Sequence, residues 1–202
     1  MSKPYPWYYA VNDRPVMIVE LPGGGADSLV FDFVSGNLIP DRSYFAKVAP
    51  GAGGDVDQLT ATTFEELLAT CRVDLVHRWC EKMCSIKGSG AELFELFGDG
   101  HKPPLPMESD KVEIKPDELA FATVVLRFPP GVLRRRQIEQ KFDAGAEQAR
   151  AQEFFPHRFR YPVHVPGAKY ICALYASTPH KEGGVDAPVI TLAFNQEPNR
   201  IG

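Results

Sequence analysis

The stretch Thr62–Met83, TTFEELLATCRVDLVHRWCEKM, decides how the rest of the chain is read. Phe64, Leu67, Leu68, Cys71, Leu75, Trp79 and Met83 recur at three- and four-residue intervals, with Val76 and Cys80 beside them. That period lays an apolar stripe along one face of an α-helix. Thr62 and Glu65 have the spacing of a capping box, in which hydroxyl and carboxylate each take the other's backbone N–H. Gly88 and Gly90 mark the end. The pattern predicts a helix of about 24 residues, some ~36 Å long at 1.5 Å per residue, able to cross a sheet along its whole length.

Upstream, the apolar pattern shortens to that of strands. Trp7–Asn12, Val16–Leu21, Leu29–Phe33 and Asn37–Pro40 are short apolar runs broken by Asp13-Arg14-Pro15, by Pro22 with Gly23-Gly24-Gly25, and by Ser35-Gly36. This predicts a meander. Downstream, Ala91–Phe97 reads as a short amphipathic helix, and the Pro-rich stretch 99–110 as a linker. Val112–Ile114, Phe121–Phe128, Tyr161–Val165, Lys169–Ala176 and Pro188–Phe194 read as strands. Val132–Glu153 reads as a second long helix with a thin apolar stripe of Leu133, Ile138, Phe142, Ala146 and Ala149, weakened by Gly145. The fold class predicted is α+β: small, mostly antiparallel sheets with two long helices packed on them. Two lobes are expected, 1–98 and 111–202, with one continuous sheet as the other possibility.

The 202 residues are enough to close a hydrophobic core. Four cysteines, Cys71, Cys80, Cys84 and Cys172, do not form the spaced framework of a disulfide scaffold, and three share the predicted helix. Reduced thiols, and so a cytoplasmic protein, fit that pattern. No run approaches the ~18 apolar residues of a membrane span, and the first residues have no signal-peptide core. The net charge of −4 is unevenly held: residues 1–100 carry 8 Lys/Arg against 14 Asp/Glu, and residues 101–202 carry 14 against 12. The acidic balance argues against a nucleic-acid partner. The acidic half is a candidate surface for a basic partner, although a solvated face is the plainer reading.

Candidate chemistry concentrates in His77, Cys80 and Cys84, at i, i+3 and i+7 of the helix. Those residue types ligate zinc, but a structural site takes four ligands, and Cys172 would have to fold back from a distant strand to be the fourth. A thiol nucleophile would need an oxyanion hole that a helix interior does not offer. Packing of the cysteines in the core is the favoured reading. Gly23-Gly24-Gly25 and Gly51-Ala52-Gly53-Gly54 lack the lysine and hydroxyl of a phosphate loop and read as turns. Asp55 and Asp57 read as acids at a helix start. In the second half, Arg134-Arg135-Arg136 with Arg150, Arg158 and Arg160 is locally basic, and Arg158, Phe159, Arg160 and Tyr161 interleave cation with aromatic as RNA-binding surfaces do. Glu139, Asp143, Glu147 and Glu153 counter it, which favours a solvated mixed-charge helix. Neither HExxH nor GxSxG occurs, so no catalytic residue and no cofactor is predicted.

One segment resembles a known group. Asp27–Phe33, Gly36, Leu38–Tyr44, then Asp55-Val56-Asp57 and Thr62–Glu65 form a strand ending in FDF-x-x-G-x-L-I-P-D, an acidic segment and a Thr/Phe/Glu-led helix. This resembles small bacterial immunity proteins that neutralise polymorphic or contact-delivered toxins, over about the first 70 residues. The resemblance implies a non-enzymatic, cytoplasmic protein that occludes the active site of a cognate protein toxin. It would do so through Asp27, Asp32, Asp41, Asp55 and Asp57, with Tyr44 and Phe45 as anchors. Two alternatives stand beside it: a metal- or thiol-dependent enzyme using His77, Cys80 and Cys84, and a nucleic-acid binder using the arginines of the second lobe.

Overall fold

A computed structural model describes residues 4–49, 54–87, 90–98, 105–116, 122–148, 156–179 and 184–199. Strands β1 (Trp7–Val11), β2 (Arg14–Glu20), β3 (Ala26–Phe31) and β4 (Leu38–Pro40) form the expected meander. Helix α1 (Tyr44–Val48) follows, then β5 (Val56–Leu59), the long helix α2 (Ala61–Ser85) and α3 (Gly90–Phe97). The rest is β6 (Lys111–Pro116), β7 (Ala122–Arg127), α4 (Arg135–Phe142), β8 (Ala146–Glu147), β9 (His157–Val163), β10 (Tyr170–Thr178) and β11 (Thr191–Pro198).

The fold is α+β, with two separate antiparallel sheets ordered β4-β3-β2-β1-β5 and β6-β7-β11-β10-β9-β8. Compact units span Met1–Arg72 and Val73–Gly202. That division falls inside α2, upstream of the stretch 99–110 where the sequence places a linker. The reason lies in the later turns of the helix: Trp79 of α2 and Phe97 of α3 stand 6.0 and 5.2 Å, centroid to centroid, from Phe194 of β11. No helix among the described residues is long and apolar enough to cross a membrane.

In the first unit the β1–β2 hairpin turns on Asn12 and Asp13, both at positive φ, as a two-residue turn matched to strand twist demands. Val11, Val16, Ile18, Val30 and Tyr44 make its buried cluster. Arg72 is buried and donates from Nε to the carbonyl of Gly36 at 3.2 Å, which ties α2 to the β3–β4 turn. The start of α2 differs from expectation. Its cap is Thr60, whose hydroxyl accepts the N–H of Thr63 at 3.1 Å, while Thr62 is exposed within the first turn. β5 occupies the preceding residues, so the cap falls where the strand stops.

In the second unit the core lies on one face of the six-stranded sheet, where Val124, Leu126, Cys172, Leu174, Ala176, Leu192 and Phe194 are buried. The predicted long helix over Val132–Glu153 is shorter: α4 ends at Phe142, and Asp143 turns out of the helix with φ 60°. Ile138 is the buried residue of that helix, Ala146 is exposed, and the chain instead pairs β8 with β9. A mixed-charge segment with one buried anchor and a glycine gives further helical turns little apolar surface to pack, and packing is what holds most helices. Ala149, Arg150 and Glu153 lie outside the described residues.

Candidate functional site

The acids of the first unit have different fates. Asp27 caps the N–H of Ser28 at 2.9 Å and faces Arg42 at 3.6 Å. Asp32 closes the β3–β4 turn, accepting from the Ser35 hydroxyl at 2.6 Å and the Ser35 N–H at 2.9 Å. Burial opposes its charge, but those bonds outweigh it and hold the carboxyl below its ordinary range. Asp41 takes the Ser43 N–H at 3.0 Å, and the Ser43 hydroxyl and N–H together lower its carboxyl too. Both carboxylates are turn-builders. Tyr44 is no exposed anchor: it is buried, receives a bond from Arg14 Nη1 at 3.0 Å, and lies under the Lys47 ammonium, 3.7 Å from its ring centroid. Phe45 is half-buried against the same cluster. Alternation in the sequence could not show this, because α1 is too short to display a period.

Asp55 and Asp57 behave otherwise. They lie at an edge strand, not a helix start: Asp57 is in β5 and pairs with Ala10 of β1, and Asp55 just precedes the strand, its carbonyl accepting the Asn12 N–H at 2.9 Å. Both side chains are exposed. The first turns of α2 follow directly, with Glu65 and Glu66 exposed, and Phe64 packs on Tyr8 of β1 at 4.8 Å between centroids. No Lys or Arg occurs between Lys47 and Arg72. Asp55, Asp57, Glu65 and Glu66 are thus exposed along β5 and the start of α2, on a stretch of chain that carries no basic residue of its own. Sequence reading named its two aspartates and missed the glutamates, whose signal was the absence of any basic residue nearby.

The Cys–His group resolves into two places. Cys80 and Cys84 are fully buried and meet Cys172 of β10: the Cys80 and Cys172 thiols share a hydrogen bond, and Cys84 donates to the Val163 carbonyl at 3.5 Å. His77 points elsewhere, packing on Phe142 at 5.2 Å and facing Glu81 at 3.6 Å. The strand does bring Cys172 back, but among the described residues no three His, Cys, Asp or Glu side chains are arranged to hold a metal ion. Burial raises both thiols, that of Cys84 to about 11. A thiolate-dependent reagent at pH 8 therefore modifies these cysteines in the native chain at least about 100-fold more slowly than in the unfolded one. A colorimetric thiol titration with and without denaturant checks this, and rapid native labelling of Cys84 would contradict it.

Gly23, Gly24 and Gly25 all sit at positive φ in the β2–β3 hairpin, closed by the Gly24 N–H on the Leu21 carbonyl at 3.0 Å. Gly51, Ala52 and Gly53 lie outside the described residues. The interleaved Arg158–Tyr161 is a strand that sends its residues to opposite faces. Phe159 and Tyr161 are buried in the core, and the Arg135 guanidinium stacks over Phe159 at 3.7 Å. Compared with protein-family models, curated proteins and solved structures, the chain matches none.

Proposed function

We propose that the chain is an inhibitory binding protein that neutralises a bacterial protein toxin by covering a basic active-site cleft. The observation that supports this most is the acidic rim of Asp55, Asp57, Glu65 and Glu66, exposed and without an interspersed cation. A toxin that cleaves or modifies a polyanion carries a basic cleft, and an acidic rim steers onto it and gains most of its rate from that field. The rim also lies on a sheet edge, since β5 ends the strand order, so exposed backbone groups are available beside the carboxylates. Asp27, Asp32 and Asp41 serve the rim indirectly by holding the turns of the same sheet.

The test is co-expression with a growth-inhibiting product of a gene that flanks the chain's own. The wild-type chain restores growth and co-purifies with the toxin. The variant Asp55→Lys/Asp57→Lys/Glu65→Lys/Glu66→Lys associates about 100-fold more slowly at low salt, because four reversals invert the steering field. Equal protection by that variant would remove the rim from the interface, and absence of both complex and rescue with the wild-type chain would remove the function.

A further inference from the structure

The second unit carries a face that the reading above does not use. Side chains that meet the helices leave the six-stranded sheet on one side. Phe194 packs on Trp79 and Phe97, Phe159 on Arg135, and Tyr161 on Phe142 at 6.1 Å. Strand alternation sends the intervening residues to the other side, and the register arranges them in rows. One row runs Arg158, Ser177, Thr191, Arg127, Lys111; the next Arg160, Tyr175, Ala193, Val125, Glu113; the third Pro162, Ala173, Asn195, Thr123, Lys115.

The composition of these rows is uneven. Short side chains occupy the middle, and cations stand on β9 at one border and on β6 and β7 at the other. The borders lie about 19 Å apart, four strand spacings. Lys111, Lys115 and Arg127 have side chains 58%, 69% and 57% exposed. Five cations face two carboxylates here: Glu113 meets Lys111, Arg127 and Lys115 at 2.8, 3.2 and 3.4 Å, and Glu197 meets Arg160 at 2.8 Å. Among the described residues this face therefore carries three more cations than carboxylates, in a chain whose net charge is −4. At the β9 border the Arg158 guanidinium lies 3.9 Å from the Tyr175 ring centroid, and the Tyr175 hydroxyl donates to Glu197 at 3.4 Å. The tyrosine of the stack is thus held at its hydroxyl.

We propose that this face binds single-stranded nucleic acid. An open antiparallel sheet has no helix to place in a groove, so a duplex gains little from it, whereas an unpaired strand can lay its phosphates along the cations and stack a base on the Arg158–Tyr175 pair. An acidic polypeptide could use the cations alone. It would gain nothing from the stack, and that difference separates the two.

Fluorescence anisotropy of the full chain with a labelled ten-nucleotide oligo(A) RNA tests the assignment. Three excess charges give a log–log salt slope of about −2, so affinity falls about 20-fold between 50 and 200 mM KCl. Tyr175→Leu weakens binding about 10-fold through the lost stack. Lys111→Ala/Lys115→Ala, at exposed positions that leave folding intact, cuts the slope by about 1.4. Deca-glutamate is the competitor. The proposal is overturned if no RNA binding is seen at 50 mM KCl, if the lysine pair leaves the slope unchanged, or if deca-glutamate binds as tightly as RNA. The last outcome would assign the face to an acidic protein.

Discussion

Replacing Gln196 by leucine lowers stability by about 3–4 kcal/mol, an effect out of proportion to the isosteric change. Gln196 sits in β11, 5% exposed, and uses its whole amide. Its Nε2 donates to the carbonyls of Met83 at 2.5 Å and Ile86 at 2.9 Å, and its Oε1 accepts the Ala122 N–H at 3.0 Å. Met83 is in the last turn of α2, which leaves acceptors without intrahelical donors, and Ile86 is the residue just past its end. The Lys87 N–H, which would ordinarily serve the Met83 carbonyl, goes instead to Glu92 Oε2 at 3.3 Å. A side chain more than 100 residues distant in sequence thus caps this helix. Its Oε1 also supplies the bond at the start of β7, one step beyond the last backbone register pair, Asn195 with Thr123. Leucine fills the same volume and satisfies none of the three groups. Each orphaned buried group costs about 1–3 kcal/mol, with partial relaxation at the Ile86 end. Urea denaturation reads the result as a lower midpoint with an unchanged m-value. A loss below about 1 kcal/mol would mean that water reaches these groups and that the cap is dispensable.

Gln196 also shows where sequence reading stops. The long helix and most strands were legible, because period-3.6 and period-2 patterns report directly on the face each residue gives to the core. The elements that were misread are those held by partners far away in the chain. Thr62 looked like a cap because its spacing to Glu65 is local, while the true cap, Thr60, is selected by where β5 ends. The long helix read over Val132–Glu153 failed for the same reason, since β9 offers β8 a ladder that no local propensity foretells. At the rim, Asp55 and Asp57 were found by residue type alone, and the placement of Asp57 on an edge strand, with Asp55 just before it, came only from pairing with β1. Asp32, Asp41 and Tyr44 share the composition of an interface, but bonds to Ser35, Ser43 and Arg14 commit them to the fold. Acidic residues at turns are ambiguous in sequence because a carboxylate serves a backbone N–H as readily as a partner's arginine.

Gly145→Ala is the second substitution with a large effect, a loss of about 2–3 kcal/mol. Local reasoning gives the opposite sign. Gly145 does not need a left-handed backbone, and an alanine restricts the unfolded chain, a gain of about 0.4–1 kcal/mol where the native conformation allows it. Space decides against it. A Cβ on Gly145 would lie 2.4 Å from Cε1 and 2.5 Å from Cζ of Tyr161, inside any van der Waals contact. The ring has nowhere to go: Tyr161 is 1% exposed, and its hydroxyl faces Glu139 at 3.4 Å. Glu139 is itself held by Arg135 Nη2 at 2.9 Å, and the Arg135 guanidinium lies on Phe159. The backbone must therefore yield, and with it β8, whose register partners on β9 are Arg160 and Phe159. A double-mutant cycle separates this clash from a general effect on the turn. In a Tyr161→Leu background the ring is gone, so Gly145→Ala falls below about 1 kcal/mol and a coupling of at least about 1.5 kcal/mol appears. Tyr161→Phe gives no such relief, because the two shortest contacts are with ring carbons rather than with the hydroxyl. Equal costs in all three backgrounds would place the penalty in the backbone and remove the tyrosine as its cause.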